Sequence, residues 1–87
     1  MTSRTRTLIK VEFPGGYIQL FACYVLISMP MKDVRRFARM IVHDYAIFNE
    51  NVNKLKDELI WLEDERHISP ARVERIVKAM HKEGIDL

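Results

Sequence analysis

An α+β fold is what this 87-residue sequence predicts: an N-terminal β-hairpin packed on a long α-helix and a shorter antiparallel C-terminal helix, as one domain over 1–87. Three observations carry the expectation. Thr7 to Phe13 alternates and runs into Pro14-Gly15-Gly16. Apolar residues recur every three or four positions from Val34 to Leu62. Ser69-Pro70 and Gly84 bracket a further periodic stretch.

The hairpin is expected over 5–27. Ile9, Val11 and Phe13 fall on one side of the first strand, and Leu8, Lys10 and Glu12 on the other. Gly15-Gly16 can supply the positive φ angles of a tight turn. That turn sets Phe13 opposite Ile18, Val11 opposite Leu20 and Ile9 opposite Ala22. Tyr17 to Ile27 is rich in aromatic and β-branched residues, as strands are.

A second reading of the same residues starts from the proline that ends the first strand. A strand over Thr7–Pro14, a first helix over Tyr17–Ile27 and a second over Met31–Tyr45 resemble the ribbon-helix-helix family of DNA-binding regulators. The resemblance covers about half the chain. It implies that two chains pair their strands and read DNA through Leu8, Lys10 and Glu12. An acidic and an apolar side chain there suit a phosphate-lined groove poorly, which favours the hairpin.

The long helix is expected over 31–66, with Ser28 as N-cap, Pro30 in the first turn and Asp33 favouring the dipole. Val34, Ala38, Ile41, Tyr45, Phe48, Val52, Leu55, Leu59 and Leu62 keep a seven-residue phase throughout. A helix of that length would run about 50 Å at ~1.5 Å per residue, longer than a small globule is wide. Ile41, Tyr45, Phe48, Val52, Leu55, Leu59 and Leu62 are therefore the expected seam with another helix or with a second copy. Asn49, Asn51 and Asn53 have low helix propensity and mark a possible break near 49–53. The last helix is expected over 70–83: Ser69 caps it, Pro70 takes its first position, and Gly84 ends it. The short connection folds it back on the long helix.

Composition bounds the function. Hydrophobic residues are 48% and charged residues 30% of the chain, the balance of a folded globular protein. A chain this short buries only ~60–65% of its unfolded surface, so a partner, most simply a second copy, is expected to cover part of the rest. The single cysteine, Cys23, excludes an internal disulfide and reads as a small buried hydrophobe in a reduced, cytoplasmic setting. Phe13–Met31 is uncharged, but its dense apolar part, Tyr17–Ile27, is shorter than the ~20 residues that span a bilayer. No small-x-small cleavage site follows it.

No catalytic motif emerges. His43, His67 and His81 are not at metal-binding spacings, and the adjacent His43 and Asp44 point apart on a helix. Pro14-Gly15-Gly16 lacks the lysine and helix start of a phosphate loop. The chain therefore reads as non-enzymatic, with no cofactor and no metal. Two charged features stand out as contact surfaces. Glu58, Asp64 and Glu65 surround Trp61, a polar rim about a large apolar side chain. Arg35, Arg36 and Arg39 form a basic cluster, in a front half that holds seven basic against two acidic residues, while the back half holds seven against ten. The expected function is a small adaptor, inhibitor or regulator acting through protein contact, of the size of a phage or mobile-element accessory protein. The alternative is a small DNA-binding regulator that uses the basic front half.

Overall fold

The computed structural model describes residues 7–87, apart from the Tyr45 side chain; residues 5 and 6 of the expected hairpin, and Arg4 and Arg6, lie outside the described residues. It is an α+β fold with an N-terminal antiparallel hairpin followed by helices. The elements are β1 (Leu8–Phe13), β2 (Gly16–Phe21), α1 (Ala22–Ile27), α2 (Met31–His43), a 3-10 turn (Tyr45–Ile47), α3 (Phe48–Asp64) and α4 (Pro70–Lys82).

The hairpin turns one residue earlier than the two glycines suggest. Phe13 pairs with Gly16, Val11 with Ile18 and Ile9 with Leu20. The corner is Pro14-Gly15: proline presets the first position, and Gly15 supplies the positive φ, 98°, at the second. Relative to the expected register, β2 is displaced by two residues. Because side chains alternate with period two, the shift leaves the same residues on the core side.

The second strand is also shorter than expected. The ladder closes with the Ala22 N–H donating to the Thr7 carbonyl at 2.8 Å, and 22–27 is helix, not strand. A strand would have turned Tyr24 inward together with Ala22 and Leu26. The helix instead buries Ala22, Val25 and Leu26, at spacings of three and four, and leaves Tyr24 and Ile27 outside. The ribbon-helix-helix arrangement is not adopted either: β1 pairs within its own chain, and Tyr17–Phe21 is strand.

The expected 31–66 helix is two helices. The break is at Asp44, whose φ of −96° and ψ of 78° leave the helical region, and not at the asparagines. Two interactions hold it there. The Asp44 carboxylate accepts the Glu12 N–H at 3.0 Å, and the Asp44 carbonyl accepts from the Ile47 N–H at 3.3 Å. The break also fits the helices into a body 37 × 30 × 20 Å across. Asn51 is buried inside α3, where its amide donates to the Lys10 carbonyl at 3.0 Å. Ser28 does not cap α2: it ends α1, with its N–H on the Tyr24 carbonyl, and Pro30 precedes α2.

The C-terminal helix begins as read, with the Ser69 hydroxyl accepting the Arg72 N–H at 3.1 Å. It closes with a paired cap: Ile85 N–H to Met80 and Gly84 N–H to His81, with Gly84 at φ 98°. The α3 terminus repeats this cap, His67 to Leu62 and Arg66 to Glu63, but with Arg66 at φ 58° in the place that glycine favours. α4 packs chiefly on α2 rather than along α3.

One core unites the elements. Val34, Ala38, Ile41, Val52, Leu55, Leu59 and Leu62 are buried with Ile9 and Val11 from the hairpin, Val25 and Leu26 from α1, and Ile76 and Met80 from α4. Phe48 is half-buried against them. Where its burial is described, the apolar stripe is thus consumed inside one chain, so the seam expected with another helix or with a second copy lies between this chain's own helices. Breaking the helix at Asp44 makes this possible, because both halves can then face the same core.

The two edges of the hairpin differ. The ladder pairs Thr7, Ile9, Val11 and Phe13 with their partners, so the backbone groups of Leu8, Lys10 and Glu12 point away from β2. Side chains meet all three: Lys54 Nζ donates to the Leu8 carbonyl at 3.2 Å, Asn51 to that of Lys10, and Asp44 accepts from Glu12. One outward backbone group on each of these three residues is thus covered by a side chain from Asp44 or α3.

Candidate functional site

The residues singled out in the sequence do not gather at one place. Trp61 is half-buried against the core, its ring tilted at 46° to that of His67 with centroids 5.5 Å apart. Glu58, expected on its rim, is 1% exposed and belongs to the buried face of α3. The reason is phase: Glu58 sits three residues from Leu55 and four from Leu62, inside the apolar stripe. Asp64 and Glu65 are exposed at the end of α3.

The arginine cluster separates in the same way. Arg39 Nε donates to the Glu83 carboxylate at 3.1 Å, tying α2 to the end of α4. Arg35 lines a shallow groove with Arg75, Lys78 and Lys82 of α4. Arg36 lies on another side, in a hollow with Ile18, Leu20, Tyr24 and Met40.

Three surfaces emerge. The first is an apolar groove between α3 and α4, of about 390 Å³, lined by Leu59, Ile60, Val73, Val77 and Leu87, with Lys56 and Glu63 at its rim. Ile60 is 57% exposed there, off the heptad seam of Leu59 and Leu62. A second hollow, of about 540 Å³ and lined by Arg66, His67, Ser69 and Pro70, shares Glu63 and Val73 with it. The surrounding helix is acidic: α3 carries Glu50, Asp57, Glu58, Glu63 and Asp64 against Lys54 and Lys56.

The second surface is the basic groove. α2 carries Lys32, Arg35, Arg36 and Arg39 against Asp33, and α4 carries Arg72, Arg75, Lys78 and Lys82 against Glu74. Lys78 lies 3.9 Å from Glu74. Splitting the sequence into a basic front and an acidic back hid this pairing, because α4 belongs to the back half and packs on α2. The polarity of the molecule is α2 and α4 against α3.

The third surface surrounds β2 and α1. Five of the six most exposed large apolar side chains among the described residues lie between positions 13 and 27: Phe13, Tyr17, Phe21, Tyr24 and Ile27.

Arg72, which the sequence reading passed over, holds the first helix in place. Nε donates to the Leu26 carbonyl at 2.8 Å, and Nη2 to those of Met29 at 2.7 Å and Val25 at 3.3 Å. Val25 and Leu26 are in the last turn of α1, whose carbonyls have no partner within the helix. Burial, and then the neighbouring Arg75 charge, hold the guanidinium below its ordinary pKa; it stays charged at neutral pH.

Among the described residues no three His, Cys, Asp or Glu side chains are placed to hold a metal ion. Asp44 is engaged with the Glu12 backbone, not with His43. Cys23 is half-buried in α1. Among the described residues no helix is long and apolar enough to cross a membrane. Compared with known protein families, curated proteins and solved structures, the chain matches none. A functional reading therefore rests on the surfaces alone.

Proposed function

We propose that this protein is a non-enzymatic adaptor, inhibitor or regulator that acts by protein contact through the α3–α4 groove. The observation that carries the reading is the groove itself: an apolar floor of Leu59, Val73 and Val77, and Ile60 exposed beside it on an acidic helix. Apolar centre and charged rim are the anatomy of a contact site. The occupant this chemistry suits is an amphipathic helix with apolar anchors and a basic flank, since opposite charge steers encounter and suppresses wrong partners.

The test is a titration of the isotope-labelled protein with a synthetic leucine/lysine amphipathic peptide. Amide shifts should concentrate at 56–63, at 73–77 and at Leu87. A leucine/glutamate peptide of the same pattern should not bind. Ile60→Asp should remove the interaction while leaving the melting temperature within a few degrees. Shifts that ignore the groove, or an acidic peptide that binds equally, would refute the reading.

The basic groove supports a second reading, contact with a nucleic-acid backbone. Four cations from two helices, Arg35, Arg75, Lys78 and Lys82, line one strip. Binding of this kind must weaken steeply with salt, because each neutralised phosphate releases counterions. In the same experiment a short DNA duplex at low salt should shift Arg35, Arg75, Lys78 and Lys82. Removing Arg75 and Lys78 together should flatten the salt dependence by about two charges.

A further inference from the structure

We propose that β2 is a self-pairing edge: a second copy of this chain docks antiparallel along Gly16–Phe21, and the two hairpins join into one four-stranded sheet. The first support is the contrast between the edges. On β1 each of Leu8, Lys10 and Glu12 has one outward backbone group met by a side chain from Lys54, Asn51 or Asp44, and two of the three residues are charged. On β2 the outward groups belong to Tyr17, Gln19 and Phe21, and among the described residues the outward N–H groups of Tyr17 and Gln19 donate to nothing. No residue of β2 is charged. Charge is a common guard against edge pairing, and this edge lacks it.

The second support is self-complementarity. A two-fold axis through Gln19 sets Gln19 against its own copy, Tyr17 against Phe21 of the second copy, and Ile18 against Leu20. Every cross-strand pair is then aromatic with aromatic, aliphatic with aliphatic, or amide with amide, and no like charges face each other. The side-chain alternation agrees on both faces. Tyr17 and Phe21, 59% and 44% exposed, flank the edge on one side, while Ile18 and Leu20, half-exposed, flank it on the other.

The third support is area. Aromatic side chains present ~150–250 Å² each, so Phe13, Tyr17, Phe21 and Tyr24 at their observed exposures, with Ile27, leave roughly 400 Å² of apolar surface on the hairpin and the helix that follows it. That is the scale at which an apolar patch marks a contact. Two such patches, with the strand backbones and Gln19 between them, approach the ~1,200 Å² at which specific interfaces begin.

Equilibrium sedimentation of the full chain across the micromolar range tests the proposal, with a charge exchange at the axis. The unaltered protein should approach twice its 10.3 kDa mass. Gln19→Lys alone and Gln19→Glu alone each place like charges face to face and should weaken dimerisation about tenfold or more. An equimolar mixture of the two should restore it. Gln19 is exposed, so both variants should keep the helical circular dichroism of the parent. Hydrogen exchange should slow at Tyr17 and Gln19 as the dimer forms. A protein that stays monomeric overturns the proposal, and so does a dimer that both Gln19 variants leave intact. Ile60→Asp should not change the mass, so failure here is distinct from failure of the groove reading.

Discussion

Replacing Arg72 tests whether one side chain from α4 is what closes α1. The guanidinium reaches three carbonyls of a segment that is otherwise joined to α4 only through packing. Its bonds to Leu26 and Met29, at 2.8 and 2.7 Å, are short enough to count as charge-assisted. The third, to Val25 at 3.3 Å, and the contact with the Met31 sulfur at 3.4 Å add less. Hydrogen bonds to a charged group contribute about 1.5–3 kcal/mol each. The site is only part-buried, so water can reach some of the freed carbonyls, and the lower end applies. Arg72→Ala should therefore cost about 3–4 kcal/mol, and Arg72→Lys, which keeps the charge but loses the planar fork, about 2 kcal/mol. A domain of this size has roughly 4–13 kcal/mol in total. The alanine variant should lose on the order of 15–25 °C in melting temperature, at ~4–8 °C per kcal/mol. Urea melts followed by far-ultraviolet circular dichroism give the values, provided the slope with denaturant is unchanged. If both variants fall within about 0.5 kcal/mol of the parent, the Arg72 contacts do not anchor α1, and apolar packing of Val25 and Leu26 suffices.

Further outcomes follow from single sites. Leu55 is fully buried, so Leu55→Ala should cost about 2–5 kcal/mol in the same urea melts, and a loss under roughly 0.5 kcal/mol would place the stripe in solvent. Arg66 holds a left-handed conformation at the α3 cap, so Arg66→Gly should raise stability by about 0.5–1 kcal/mol in thermal melts; a fall would show that the arginine side chain holds the turn. Asn51→Leu removes the donor to the Lys10 carbonyl and should cost about 1–3 kcal/mol, with faster hydrogen exchange in β1 as the local sign. An unchanged exchange rate there would show that α3 does not guard that edge.

Much of the architecture was legible because it depends on local chemistry. The alternation of Ile9, Val11 and Phe13 and the glycines after Pro14 marked the hairpin, while its corner fell at Pro14-Gly15 and not at the expected Gly15-Gly16. Ser69, Pro70 and Gly84 set the ends of α4, because caps satisfy backbone groups within a few residues. Of the stripe from Val34 to Leu62, Val34, Ala38, Ile41, Val52, Leu55, Leu59 and Leu62 are buried and Phe48 is half-buried, since a helix face is set by spacing, though buried Phe37 lies outside that phase. The site was much less legible. Burial of Glu58 was in principle readable from its place in the stripe. The distribution of Arg35, Arg36 and Arg39 over different neighbours was not.

What only the tertiary structure decided are the features that join residues far apart in the chain. The helix breaks at Asp44 because the Glu12 backbone, 32 residues away, offers its carboxylate a donor, and no periodicity records that. Asn51 reads as a helix weakener in sequence, yet it stays helical because the Lys10 carbonyl compensates its amide. Arg72 looks like one of several surface cations until α1 brings its open carbonyls to it. Periodicity determines which face of each element is buried. Which element lies opposite is settled by contacts between distant segments, and their energies are not written in either segment by itself. The same reason explains the charge map: α2 and α4 become one basic surface only because they pack together, leaving the acidic α3 to line the other groove.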